Sequence, residues 1–138
     1  MNCKLPRWKS RNYEVYICNI EEALLNELDK LFPTVGVNIN YSLWQNFNRV
    51  YKKTGQKFVF VFDDWDFILK SPKANSEEKH EFLEFIAELF TDAEYVDMAY
   101  LTGIKAISEY TNNRYLDMFT EFELAGERSR DREMVEAY

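Results

Sequence analysis

Five consecutive apolar residues, Phe58-Val59-Phe60-Val61-Phe62, run directly into Asp63-Asp64-Trp65-Asp66, and no other stretch of the chain is as uniformly apolar. A run with apolar residues on both alternating faces predicts a strand buried inside a parallel sheet. Upstream, Tyr13-Glu14-Val15-Tyr16-Ile17-Cys18 is rich in β-formers and predicts another strand. Ile20, Leu24, Leu28 and Leu31 then recur at helical spacing, with Asn19 placed to cap the helix and Pro33 to end it. A second helix is predicted from Ser42, with Leu43, Phe47, Val50 and Tyr51 on one face, Lys52 and Lys53 in the last turn and Gly55 just beyond. Asn75 and Glu78 have the spacing of a capping box, and Phe82, Phe85, Ile86 and Leu89 form the buried stripe of a third helix. Tyr95–Leu101 predicts a third strand. Leu116, Phe119 and Phe122 suggest a short final helix.

This order of elements predicts an α/β fold with parallel crossovers. The expected organisation is a basic N-terminal arm at 1–12, an α/β domain at 13–124, and a charged, flexible tail at 125–138.

Composition narrows the class. Of 138 residues, 46% are hydrophobic and 17% aromatic, with only four Gly and three Pro, which excludes a disordered chain and implies few turns. The formal charge of −7 disfavours unspecific binding to a phosphate backbone and permits docking on a basic protein surface. Lys4, Arg7, Lys9 and Arg11 precede the first acid, Glu14, and read as a solvated positive arm rather than a nucleic-acid contact. Cys3 and Cys18 form no C-x-x-C pair, and His80 is the single histidine, so a zinc site is not expected and a reducing, cytoplasmic compartment is. No apolar run reaches membrane-spanning length, and the N-terminal residues lack the apolar core of a signal peptide. His80 and the acids Glu77, Glu78, Glu81, Glu84 and Glu88 are expected on the solvent face of the third helix. Trp8 and Trp44 are expected to pack.

The strongest chemical signal is the acidic end of the apolar run. A stiff strand that presents an acid at its carboxyl end is the layout of a Walker B motif, and a buried strand ending in an acidic turn has the same appearance. Downstream stand Tyr100-Leu101-Thr102-Gly103-Ile104, then Ile107-Ser108-Glu109-Tyr110, then Leu116-Asp117-Met118-Phe119-Thr120-Glu121-Phe122. Together with Phe62-Asp63-Asp64-Trp65-Asp66, these segments resemble the bacterial predicted AAA-ATPase family (the AAA-ATPase-like domain), over about residues 57–124.

The resemblance implies a small three-layer, P-loop-NTPase-like fragment with about three parallel strands and flanking helices. In it Asp63 stands for the magnesium-linked acid, and Asp64 falls where the family has its catalytic Glu. Asp66 completes the vestigial Walker B turn, and Thr102 occupies the sensor position. Trp65 stands at the family's Tyr position, either capping the core or filling the nucleotide cleft. The sequence departs from the family in one respect that removes the chemistry: it contains no G-x-x-x-x-G-K-[ST], whose backbone N–H groups and lysine hold the phosphates. No catalytic residue, cofactor or metal is therefore expected.

Without the P-loop strand, Phe58–Phe62 is expected between Tyr13–Cys18 and Tyr95–Leu101. The last of these becomes an exposed edge, with Val96, Met98 and Tyr100 offered to a partner or a second copy. The expected function is a non-catalytic protein-binding module, in its sharpest form a small acidic phage or mobile-element inhibitor, anti-CRISPR-like, that docks on a partner. The alternative is a nucleotide-binding or ATPase subunit completed by a P-loop from another chain.

Overall fold

The computed structural model describes residues 12–105, 110, 118–123 and 133–137. The Lys4–Arg11 arm, Cys3, Trp8 and Leu116 lie outside them. The chain divides into two compact units, one holding the residues up to Lys57 with Ala93–Tyr95, the other Phe58–Asp92 and Val96 onward.

The first unit is built on α1 (Asn12–Leu31) and α2 (Leu43–Thr54), which pack together. The strand expected at Tyr13–Cys18 is instead the first half of α1. Its inward stripe is Ile17, Glu21 and Leu28, with Tyr13 before them and Leu24 among them half-buried. Glu21 sits in that stripe only 4% exposed, and an acid at a core position hid the helical period from Tyr13 onward. β-former content predicted a strand, but twenty continuous helical residues with one packed face override a local preference of a few tenths of a kcal/mol each.

α2 follows the sequence closely. Ser42 caps it, accepting from Gln45 N–H, while the Gln45 side chain accepts from Ser42 N–H. Gly55 ends it in the left-handed conformation at φ 73°, where its N–H donates to the Tyr51 carbonyl. Leu43, Asn46, Phe47 and Val50 are buried, and Phe47 stacks on Tyr95 at 5.5 Å. Burial pushes the pKa of the Tyr95 hydroxyl well above the usual phenol range. Asn46, fully buried, ties the preceding loop to the helix. Its Oδ1 accepts from Asn38 N–H at 2.9 Å, and its Nδ2 faces the carbonyls of Asn38, Tyr41 and Ser42.

The second unit holds a sheet of β1 (Phe58–Phe62), β2 (Val96–Gly103), β3 (Phe119–Glu123) and β4 (Glu133–Ala137) in the order β1-β2-β4-β3. Two helices, the short α3 (Phe67–Lys70) and α4 (Ser76–Phe90), separate β1 from β2. The fold is mixed α/β, as expected, but among the described strands only the β1–β2 pairing is parallel. β4 is antiparallel to both β2 and β3.

Four expectations are corrected by this topology. β1 stands at an edge of the described sheet, not between two neighbours. Tyr95–Leu101 is not a bare edge, because β2 pairs with β1 on one side and β4 on the other: Val96, Met98 and Tyr100 lie in an internal strand, with Tyr100 opposite Glu136. The final helix suggested by Phe119 and Phe122 is strand β3, and the tail expected to be flexible supplies β4. The physical reason is the hazard already noted: an apolar strand with open hydrogen-bonding groups is stabilised when the chain returns to pair with it.

The core of this unit centres on Phe90, fully buried at the end of α4. Its ring meets those of Phe60, Phe62 and Phe119 edge to face, at 5.3, 6.2 and 5.6 Å, so one side chain joins α4 to β1 and β3. Phe60 is buried, while its neighbours Val59 and Val61 are 58% and 68% exposed. β1 is therefore buried on one face only. α4 opens on the expected capping box: Asn75 Oδ1 accepts from Glu78 N–H at 2.9 Å and Glu78 Oε2 accepts from Asn75 N–H at 2.9 Å. That reciprocal pair explains why Glu78, expected on the solvent face, is buried, whereas His80, Glu84 and Glu88 are exposed as expected. Substitution of Asn75 by Ala should lower unfolding free energy by about 1 kcal/mol in urea titration, and Asn75→Asp should restore most of it.

Candidate functional site: the acidic turn after β1

The turn Asp63–Asp66 carries every acid singled out from the sequence, and the three carboxylates do three different things. Asp63, exposed, accepts from the Thr102 hydroxyl at 2.6 Å. Thr102 Oγ1 also accepts from Asp64 N–H at 3.3 Å, and the Thr102 carbonyl accepts from Trp65 N–H at 2.9 Å. The expected sensor residue thus stands beside the expected metal acid, because β2 runs parallel to β1 and Leu101 is paired with Phe62.

Asp64 adopts the left-handed backbone conformation at φ 54°, which Asp tolerates better than most residues. Its carboxylate takes an ion pair from Lys70 Nζ at 2.5 Å. Lys70 stands 3.4 Å from Asp66 Oδ1 as well. The hydrogen bond to Asp64 raises the Lys70 ionisation above its usual 10.5, partial burial opposes this, and the charges of Asp66 and Asp64 add to the rise. A raised folded-state value means that this contribution to stability is complete at neutral pH and is lost only as pH climbs through the alkaline range above 10.5.

Asp66 is the residue whose role the sequence misrepresents. It is fully buried, and its Oδ2 accepts three hydrogen bonds: from Ile104 N–H at 3.1 Å, Lys105 N–H at 3.3 Å and the Tyr110 hydroxyl at 2.8 Å. Oδ1 has the Lys70 charge at ion-pair distance without hydrogen-bond geometry. The acid fastens the turn after β1 to the chain leaving β2. Tyr110 was legible as part of the downstream motif, but nothing in its spacing showed that it donates to Asp66.

Trp65 caps the core and does not stand in an open cleft. It is fully buried, and the Tyr110 ring meets it edge to face at 5.8 Å. Gly103 is required at the end of β2 by close approach: a Cβ there would stand 2.8 Å from Trp65 Cδ1 and Nε1 and 2.8 Å from Asp66 Oδ1. The glycine of the Leu-Thr-Gly-Ile segment is thus a packing residue for the acidic turn.

Each carboxylate of the turn has at least one oxygen engaged by the protein itself. Here Asp63 holds a hydroxyl, Asp64 holds a lysine charge, and Asp66 is enclosed by N–H and O–H donors. Among the described residues no three His, Cys, Asp or Glu side chains group as metal ligands. None of the described helices is long and apolar enough to cross a membrane. Comparison of the chain with protein-family profiles, with curated proteins and with solved structures finds no match.

Proposed function

We propose that this chain is a non-catalytic protein-binding module, related to a truncated AAA-ATPase-like domain, whose Walker B-like turn serves as a structural clasp. The observation that carries this reading is the engagement of all three acids by protein partners: Thr102 for Asp63, Lys70 for Asp64, and the Ile104, Lys105 and Tyr110 donors for Asp66. A turn that spends its carboxylates on its own chain favours rigidity over metal chemistry.

The docking surface follows from β1. Val59 and Val61 are exposed and paired in register with Met98 and Tyr100, both only half-buried, which gives an apolar row on one face of the sheet. A protein of −7 carrying such a row suits a partner that combines apolar and basic surface. The sharpest form of this reading is a small inhibitor of a nucleic-acid enzyme, anti-CRISPR-like, borne by a phage or mobile element and acting in the cytoplasm.

Two measurements test it. Calorimetric titration of the chain with Mg-ATP should show no binding at micromolar concentration; micromolar affinity would favour a nucleotide-binding subunit instead. A Val59→Lys/Val61→Lys variant should keep its circular dichroism and unfolding midpoint, since both positions face solvent. It should lose at least tenfold of the partner recovered by the wild-type chain from its native host. Equal recovery by the folded variant would remove the apolar row from the interface.

A further inference from the structure

Residues 32–62 carry four basic side chains, Arg49, Lys52, Lys53 and Lys57, and no Asp or Glu, in a chain whose formal charge is −7. Two of the four converge on one atom. Lys53 Nζ donates to the Val35 carbonyl at 2.9 Å, and Arg49 Nε donates to the same oxygen at 3.3 Å. The two cationic heads, Lys53 exposed and Arg49 half-buried, therefore stand within about 6 Å of each other, where their repulsion is partly screened by solvent. Among the described residues neither has a carboxylate within ion-pair distance.

The corner that holds them is ordered by its surroundings. Arg49 and Lys53 are i, i+4 neighbours on α2 and so share a face. Val35 is buried, and Gly36 turns the chain beside it at φ 75°, where an added Cβ would lie 3.8 Å from Arg49 Nη2. Asn46 fixes the rest of the loop to the helix one turn earlier. Anchoring through Nε leaves the four Nη N–H bonds of Arg49 for other acceptors, and Lys53 retains two of its three. A neutral carbonyl relieves little of the repulsion between two full charges. An oxyanion would relieve most of it.

We propose that Arg49, Lys53 and the Val35 turn form a binding site for a phosphate-type dianion, either free phosphate or a small phosphomonoester. Two uncompensated positive charges match a dianion better than a single carboxylate. A tetrahedral phosphate also offers oxygens to both the guanidinium fork and the ammonium. Pre-anchoring of both side chains by Val35 lowers the ordering cost of binding. A nucleic-acid strand is the poorer fit, because each phosphodiester carries one charge and the strand must approach an acidic protein. The site shares no residue with the acidic turn and does not depend on the binding-module reading.

The test is a titration of the isotope-labelled full chain followed by nuclear magnetic resonance, with inorganic phosphate, glycerol 3-phosphate and chloride at matched ionic strength. Phosphate should produce saturating shifts at the Val35 and Gly36 amides and at the Arg49 Nε–H. Affinity should fall about fivefold or more from about pH 8 to about pH 5.5, where the dianion is protonated. Arg49→Gln and Lys53→Gln should each weaken binding about tenfold. Lys73→Gln, on an exposed loop of the other unit, should change nothing. Lys53→Arg keeps the charge and should keep the site, which guards against loss through misfolding. Glycerol 3-phosphate binding more tightly than phosphate names a phosphomonoester as the ligand, and the reverse names free phosphate. Shifts equal to those from chloride, insensitivity to pH, or a single-stranded oligonucleotide outcompeting phosphate would each overturn the proposal.

Discussion

Replacing Asp66 by Ala is expected to lower the unfolding free energy by roughly 3–5 kcal/mol. The substitution leaves the Tyr110 hydroxyl and the Ile104 and Lys105 N–H groups without their common acceptor. An orphaned buried donor costs about 1–3 kcal/mol, and the costs do not add fully because the freed chain relaxes. Lys70 keeps Asp64 as a partner and retains part of its solvent exposure, so its loss is the smaller share. Tyr110→Phe removes one donor and leaves the acceptor with two others, and should cost only about 1 kcal/mol. Urea unfolding of the two single variants and the double variant settles the matter. If Asp66→Ala costs less than about 1 kcal/mol, Asp66 is not the clasp of this turn. If the double variant costs the plain sum of the singles, Tyr110 and Asp66 are not coupled.

Trp65→Ala should have a comparable effect, roughly 3–5 kcal/mol, since it empties the largest fully buried side chain among the described residues. Its neighbour gives the more diagnostic result. Gly103→Ala should cost about 1–3 kcal/mol or somewhat more, because the new methyl meets the indole and the Asp66 carboxylate at 2.8 Å and neither has room to move. In the Trp65→Ala background the indole is gone, so the added methyl should cost distinctly less. The cycle isolates the contact: a Gly103→Ala penalty that is the same with and without Trp65 would place the strain elsewhere.

The acidic turn shows why part of the site was legible and part was not. That Phe58–Phe62 and Tyr95–Leu101 are parallel neighbours was readable, and β1 and β2 pair so. The contact of Asp63 with Thr102 at 2.6 Å was not read from the sequence and follows from that register. The different fates of Asp63, Asp64 and Asp66 were not readable. Three acids in four positions look alike in sequence, and only the path of the chain after Gly103 decides which one is enclosed. Lys70 also lay outside the motif, although its i+4 distance from Asp66 on a turn of helix was a usable signal.

By itself the sequence determined the elements whose signals are local. The Ser42 and Asn75 capping boxes, the Gly55 stop, the Phe82–Leu89 stripe and the Phe58–Phe62 strand all lie where the residues place them. Such features depend on groups within a few residues of one another. Tertiary structure decided the rest. The Tyr13–Cys18 segment is helical because a long packed face outweighs β-former content, with Glu21 accepted into its stripe. Residues 133–137 pair beside β2, against every local expectation of a charged tail, because backbone pairing with an apolar strand does not require apolar side chains. That one pairing closes the edge expected to meet a partner and leaves β1, with Val59 and Val61 facing solvent, at the border of the sheet. Strand order is a property of contacts far apart in sequence, and no local pattern in the chain encodes it.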